Sequence, residues 1–229
     1  MAITPRSGTG PGSITPDGSP VEYYTLLKPR GEAELVAGVV PGGGSVLELG
    51  AGVGRVTHAL LEHGFEVVAV DESAEMLAHV RGARTVRARV QDLRLERRFD
   101  AVMLGSYLVN TADEDDRRAL LSACARHVAP GGAVLIEWTP PETHDAWRPG
   151  RVRTDGDMTI TLAALERTGR DQVNATMRYT HRDRVWTQSF TSRRLTDDDL
   201  RAALAECGLR LDRFLTEDRS WALAVPGLP

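Results

Sequence analysis

The chain has 229 residues, 41% of them hydrophobic and 26% charged, with a formal net charge of -4 and a pI near 5.9. These values suit a globular α/β domain with a small annex, and they argue against a nucleic-acid partner, which would ask for a basic stripe. No run reaches ~18 apolar residues and no basic segment with an apolar core opens the chain, so neither a membrane partner nor a signal peptide is expected, and two widely separated cysteines, Cys124 and Cys207, point to a reduced, cytoplasmic setting.

Residues 1–20 are dominated by Gly, Pro, Ser and Thr. That composition predicts a disordered tail, with the folded domain occupying 21–229. Order should begin near "VEYYTLLKPR", and "GEAELVAGVV" reads as a short helix. From Ser45 strand and helix signals alternate. "SVLELG" is a buried strand and "GRVTHALLEHG" a helix stopped by Gly64. "EVVAVD" is the second strand, followed by a helix that Ser73 can cap. "RTVRARV" and "FDAVMLG" are the third and fourth strands. "EDDRRALLSACARHV" is an amphipathic helix with acids in its first turn, and "PGG" turns the chain into "AVLIEW", the fifth strand. Such alternation predicts a doubly wound, mostly parallel α/β sheet of the Rossmann-like kind.

Beyond Trp138 the pattern becomes two-residue alternation. Met158, Ile160 and Leu162 mark one such strand; Val173, Ala175, Met177 and Tyr179 mark the next; "RVWTQSF" is a third. One covered and one open face predict a small antiparallel β annex over 151–195, inserted after strand five. "TDDDLRAALAECG" then reads as a helix with a Thr196–Asp199 capping box, and "LRLDRFL" and "SWALAVP" close the fold as an antiparallel hairpin, seven strands in all in the main sheet.

"VLELGAGVGR" crowds three glycines into the turn between the first strand and its helix. Glycines there allow a ligand close to the backbone, in the crevice outside the strands' carboxyl ends. Gly50 and Gly52 fit the dinucleotide pattern G-x-G-x-x-G, but position 55 is arginine and the third glycine falls at Gly54. Asp71 ends the second strand, about 20 residues beyond the loop, where a carboxylate takes ribose hydroxyls. That feature suits NAD and S-adenosylmethionine alike. The G-x-G-x-G spacing, with Glu48 beside it, favours the second, whose cationic groups tolerate a carboxylate.

"VLELGAGVGR", "VVAVDES", "RVQDL", "FDAVMLGSYLVN" and "HVAPGGAVLIEW" together resemble the successive motifs of class I S-adenosylmethionine-dependent methyltransferases of the small-molecule type. The resemblance runs from about Tyr23 to the last strand. It implies S-adenosyl-L-methionine as cofactor, with the backbone at Gly50, Ala51 and Gly52 lining its methionine portion, Asp71 at the ribose, Met76 on the adenine, and Glu48 and Glu72 also among the cofactor-binding residues. Val90, Gln91 and Asp92 would face the adenine edge; Arg89 stands where many relatives carry an aspartate. Leu104, Gly105 and Ser106 would complete the methionine site. Tyr23 and Tyr24 stand where relatives place a lid tyrosine.

The acceptor is read as a small molecule, methylated on nitrogen, oxygen or carbon. Asn110 follows the fourth strand, and Trp186, Gln188 and Phe190 share one phase of an annex strand; all four are candidate acceptor contacts, with packing as the alternative for Trp186. Tyr107 and His144 are candidate bases, should the reaction need one; an amine arriving neutral does not. The alternatives are a catalytically silent S-adenosylmethionine-binding partner subunit and an NAD-linked oxidoreductase. A homodimer is left open beside a monomer. The six histidines form no H-E-x-x-H pattern and no C-x-x-C occurs, so no metal is expected. An Asn-Pro-Pro-Tyr type motif, a Pro-Cys pair and a core-domain lysine are also missing, which again disfavours nucleic acid.

Overall fold

The structure is a computed structural model and describes residues 3–227. In chain order its elements are β1 (Ser7–Thr9), α1 (Val21–Thr25), α2 (Glu32–Ala37), β2 (Ser45–Leu49), α3 (Arg55–Glu62), β3 (Glu66–Asp71), α4 (Ala74–Leu77), β4 (Arg84–Arg87), β5 (Phe99–Leu104), α5 (Glu114–His127), β6 (Val128–Glu137), α6 (Pro141–Asp145), β7 (Val152–Asp155), β8 (Met158–Arg167), β9 (Gln172–His181), β10 (Arg184–Arg193), α7 (Asp197–Glu206), β11 (Leu209–Phe214) and β12 (Trp221–Pro226). They divide into two compact units. A core unit comprises Lys28–Pro140 and Leu195–Pro229, and an annex unit comprises Met1–Leu27 and Pro141–Arg194.

The core unit holds a seven-stranded sheet in the order β11-β12-β6-β5-β2-β3-β4. Strands β6, β5, β2, β3 and β4 run parallel, and β12 and β11 are antiparallel to their neighbours. Aliphatic runs on the central strands bury both faces. One face packs Leu47, Leu49, Val102 and Leu104 against Leu120, Leu121 and Cys124 of α5 and Leu200 and Leu204 of α7. The other packs Val46, Val67, Ala101 and Met103 against Val36 of α2 and Val56, Ala59 and Leu60 of α3. Each of these buried leucines contributes about 1.5–3 kcal/mol by leaving water. The helix starts follow the chemistry of their first residues: Ser73 Oγ accepts from the Met76 amide, and Thr196 and Asp199 form the capping box.

One detail of the parallel sheet differs from the sequence expectation. "PGG" does not turn the chain into β6; it is a bulge within it. Phe99 pairs with Val128, but Ala101 pairs with Ala133, so the residues between are extruded. Glycine is required here because a Cβ on Gly132 would lie 2.9 Å from the Asp100 carbonyl oxygen.

The annex unit is a five-stranded antiparallel sheet in the order β1-β10-β9-β8-β7. Its β8, β9 and β10 match the alternating segments of the sequence, and Met158, Ile160, Tyr179 and Trp186 form its buried face with Tyr23. The expectation of a disordered tail over 1–20 is corrected by what this sheet does with the segment. Ser7, Gly8 and Thr9 pair with Ser189, Gln188 and Thr187 of β10. Trp186 Nε1 donates to the Pro11 carbonyl at 2.9 Å, and Gln188 Nε2 donates to Ser19 Oγ at 2.8 Å. A Cβ at Gly10 would lie 2.4 Å from the Trp186 ring, and one at Gly8 2.1 Å from the Gly18 carbonyl. The small residues that lower the segment's hydrophobicity are therefore what let its backbone lie against the indole and against itself. The annex accordingly exceeds the expected 151–195, since it recruits the N-terminal segment and α6.

Deleting residues 1–12 should strip the β10 edge and uncover Trp186. Hydrogen exchange is expected to speed up at least tenfold at the β10 amides that face β1 and to stay unchanged in β2, β3 and β5; unaltered exchange in β10 would show that the segment does not support the sheet.

Candidate functional site

The parallel strands end in register. Leu49 pairs with Val70 and Leu104, Asp71 with Arg87, and Leu104 with Ile136. The segments that follow β2, β3, β5 and β6 thus gather at one edge of the core unit, the edge at which open α/β sheets take ligands. At its centre is the glycine loop. The amides of Gly50 and Ala51 both donate to the Val70 carbonyl, at 2.9 and 2.8 Å. The Gly52 amide donates to Asp71 Oδ2 at 2.8 Å, while Asp71 Oδ1 accepts from the Ser73 amide at 2.9 Å. The turn needs left-handed backbone at Gly50 (φ 74°) and Gly52 (φ 56°). A Cβ at Gly50 would meet Leu108 Cδ1 at 2.9 Å, and one at Gly52 would stand 4.0 Å from Met76 Sδ. Three successive loop amides are therefore committed to the end of β3, and what the loop offers a ligand is bare backbone rather than an anion cradle.

Beneath the loop lies a set of buried charges. Glu48 is buried on the α3 side of β2, and its Oε2 accepts from Thr57 Oγ1 in the first turn of α3. Burial pushes its carboxyl up to about 7; the Thr57 bond and the Arg55 charge oppose this, and Glu32 and Asp71 add to it. Arg55, at the place of the third dinucleotide glycine, pairs with buried Glu32 at 2.5 Å and donates to the Lys28 carbonyl at 3.2 Å. A buried carboxylate–guanidinium pair is costly to break from one side, so Arg55 is fixed by its partner.

The exit of β5 is fastened from two directions. Arg117, buried on α5, donates from Nε to the Val109 carbonyl (3.0 Å) and from Nη2 to the Thr111 carbonyl (2.6 Å). Asn110 accepts from the Thr139 amide at 2.7 Å, tying this turn to the segment after β6. Ser106 and Tyr107 both take left-handed φ of 56°, and Tyr107 projects with 46% of its surface exposed. The Ser106 amide donates at 2.7 Å to Oε2 of Glu137, the last residue of β6. Burial raises the Glu137 carboxyl; the Ser106 bond, the Arg55 charge and a Tyr107 side-chain hydrogen bond pull it back, and Glu32 pushes it up.

On the far side of the loop Met76 and Val90 are buried and Glu72 and Asp92 are exposed. Gln91 Nε2 donates to Asp116 Oδ1 at 3.3 Å. Arg89 lies among three acids, 4.0 Å from Glu72, 4.0 Å from Asp92 and 3.9 Å from Asp116. Arginine at this position is thus answered by the acids around it.

Residues 46–132 match the methyltransferase-domain family profile. The chain is 40% identical over 106 residues to the cypemycin N-terminal methyltransferase of a Streptomyces species, covering 43% of each chain. It is 28% identical over 207 residues to the dTDP-4-amino-2,3,4,6-tetradeoxy-D-glucose N,N-dimethyltransferase of Saccharopolyspora spinosa, covering 83% of this chain and 78% of that one. The sugar N-methyltransferase KedS8 of Streptoalloteichus sp ATCC 53650 shares the fold, with a TM-score of 0.70 at 24% identity over 100% of this chain and 99% of that one. The fold is shared with S-adenosylmethionine-dependent methyltransferases, and the methyltransferase-domain match covers residues 46–132. The chain spans about half or less of the length of the first of these curated relatives, 43% of the cypemycin enzyme.

The remaining sequence candidates all lie in the annex unit. Tyr23 stacks on Tyr179 with ring centroids 3.7 Å apart, and Tyr24 lies edge-on to it at 5.3 Å. The hydroxyls of Tyr24 and Tyr179 both donate to Gln188 Oε1, at 3.1 and 3.2 Å. Trp186 is wholly buried, and Phe190 lies edge-on to Trp147 at 6.1 Å. His144 is wholly buried against Trp147, and burial lowers its affinity for a proton. Sequence reasoning missed Glu137, Arg117 and the Glu32–Arg55 pair. Glu137 had a signal, being an acid at the carboxyl end of a buried strand; the others carried none.

The buried acid Glu48 makes stability depend on pH. With its carboxyl raised from 4.5 to about 7, the folded state holds a proton that the unfolded chain releases. The associated stabilisation is complete below pH ~4.5 and is lost as pH rises through about 7; at about 1.4 kcal/mol per unit it is on the order of 3 kcal/mol. Urea denaturation of Glu48→Gln across this window should show a flatter pH dependence than the unaltered protein, and parallel curves would remove Glu48 as the source.

Proposed function

We propose that this chain transfers a methyl group from S-adenosyl-L-methionine to a small molecule, with nitrogen as the accepting atom. The observation that carries the reading is the commitment of the Gly50, Ala51 and Gly52 amides to Val70 and Asp71. Such a loop suits a cofactor that needs close approach without phosphate binding. The residues fit the group. Asp71 places an acceptor-only carboxylate at the end of β3, the group and position that take ribose hydroxyls in such sheets. Gly50 and Gly52 carry no Cβ where one would crowd Leu108 or approach Met76.

S-adenosylmethionine supplies an electrophilic methyl on a cationic sulfur. Around it, the backbone at Gly50–Gly52 and Leu104–Ser106 would line the methionine portion, Asp71 and Glu72 the ribose, Met76 the adenine face, and Val90–Asp92 its edge. Glu48 would compensate the positive charge from below the loop. The nitrogen choice comes from the relatives, which are N-methyltransferases by name. The protein's part is to hold the amine at the methyl, which by itself accounts for much of the acceleration in such reactions.

Calorimetry should show binding of S-adenosylmethionine and S-adenosylhomocysteine and none of NAD. Asp71→Asn keeps the side chain's size and one acceptor oxygen while removing the charge, and should weaken S-adenosylhomocysteine about tenfold. Binding of NAD instead, or an unchanged S-adenosylhomocysteine affinity in the variant, would contradict the reading.

A further inference from the structure

The carboxylates at the crevice are not equivalent. Glu48 and Glu32 are buried and held, one by Thr57 and the other by Arg55. Asp71 holds the glycine loop. Glu137 sits instead at the end of β6, beside the turn after β5, and is half-buried. The Ser106 amide orients its Oε2, and a Cβ added to Gly105 would stand 3.8 Å from the same oxygen. It also takes a side-chain hydrogen bond from Tyr107, which is 46% exposed. The carboxylate is thus held by a backbone amide and bordered by an exposed phenol.

We propose that Glu137 is the catalytic residue that receives the acceptor as an ammonium ion and takes its proton. This rests on the methyltransferase reading above. An ammonium nitrogen has no lone pair with which to attack. One N–H bond must break, its electron pair staying on nitrogen, as an O–H bond forms on the Glu137 carboxylate. The carboxylic acid then returns the proton to water. The Leu104–Ser106 turn, which would line the methionine portion, touches Glu137 directly, so a nitrogen bonded to this carboxylate lies beside the segment where the methyl would be presented. The groups facing Glu137 tune it for the task. Burial and Glu32 make the carboxyl hold a proton more readily than an ordinary glutamate, while Ser106, Arg55 and Tyr107 oppose that shift. A carboxylate whose proton affinity is raised is a stronger acceptor for an ammonium proton than an ordinary one.

The test follows the 13C carboxyl resonance of Glu137, assigned by its loss in Glu137→Gln, through a pH titration. It is run with S-adenosylhomocysteine bound, in methylammonium chloride and, as a control for ionic strength, in tetramethylammonium chloride. Methylammonium can donate to the carboxylate and tetramethylammonium cannot. Methylammonium is expected to lower the midpoint by half a unit or more relative to the control, and Glu137→Gln is expected to bind S-adenosylhomocysteine within about twofold of the unaltered protein. If S-adenosylhomocysteine binds but the midpoint is the same in both salts, Glu137 does not meet the amine and this proposal falls alone. If S-adenosylhomocysteine does not bind the unaltered protein, the methyltransferase reading falls first.

Discussion

The site depends on the bond between the Gly52 amide and the Asp71 carboxylate, together with the paired donations from Gly50 and Ala51 to the Val70 carbonyl. Strands β2 and β3 are parallel neighbours in register, so their carboxyl ends lie side by side, and the loop leaving β2 must fold over the end of β3. Three consecutive amides would otherwise lose water without a partner, at a cost of about 1–3 kcal/mol each. Asp71 satisfies one of them, the Val70 carbonyl the other two, and the remaining Asp71 oxygen starts the turn into α4 through Ser73. A single carboxylate therefore shapes the loop and begins the next element before any ligand is considered.

The charge layer beneath follows from the same placement. Glu48 alternates onto the face of β2 that α3 covers, and α3 begins at Gly54 because the loop ends there. Arg55, the first residue of that helix, is held by Glu32 and also lowers the protonation of Glu48 and Glu137. One guanidinium thus serves three carboxylates. Negative potential left over at the strand ends is suited to a cationic cofactor and to an amine, and it is poorly suited to a pyrophosphate. The position that a dinucleotide loop would give to glycine is here the cation that keeps these acids ionisable.

Much of this was legible in the sequence because each signal was local. The strands of the core unit are continuous aliphatic runs, the annex strands alternate, and Ser73 and Thr196 cap the helices that follow them. Asp71 and the glycine loop carry a recognisable spacing. Three features were not legible, for separate reasons. The N-terminal segment has the composition of a tail, yet Gly8 and Gly10 are small because the Thr187 carbonyl and Trp186 lie against them, contacts that cross most of the chain. "PGG" has the chemistry of a turn and is used as a bulge, since Phe99 and Ala101 keep pairing on either side of it. Asn110, taken for an acceptor contact, is buried and bonded to Thr139, while Glu137, lying inside what reads as a plain strand end, emerges at the crevice.

The account's central claim is that the ligand site is confined to the strand-end loops of the core unit. Amide chemical shifts of the 15N-labelled protein, recorded during titration with S-adenosylhomocysteine, test it most directly. The account predicts that the largest perturbations fall on Gly50–Gly52, Asp71–Ser73, Val90–Asp92 and Leu104–Ser106, saturating with a single affinity. Perturbations concentrated on other segments, with these loops unmoved at saturation, would contradict it.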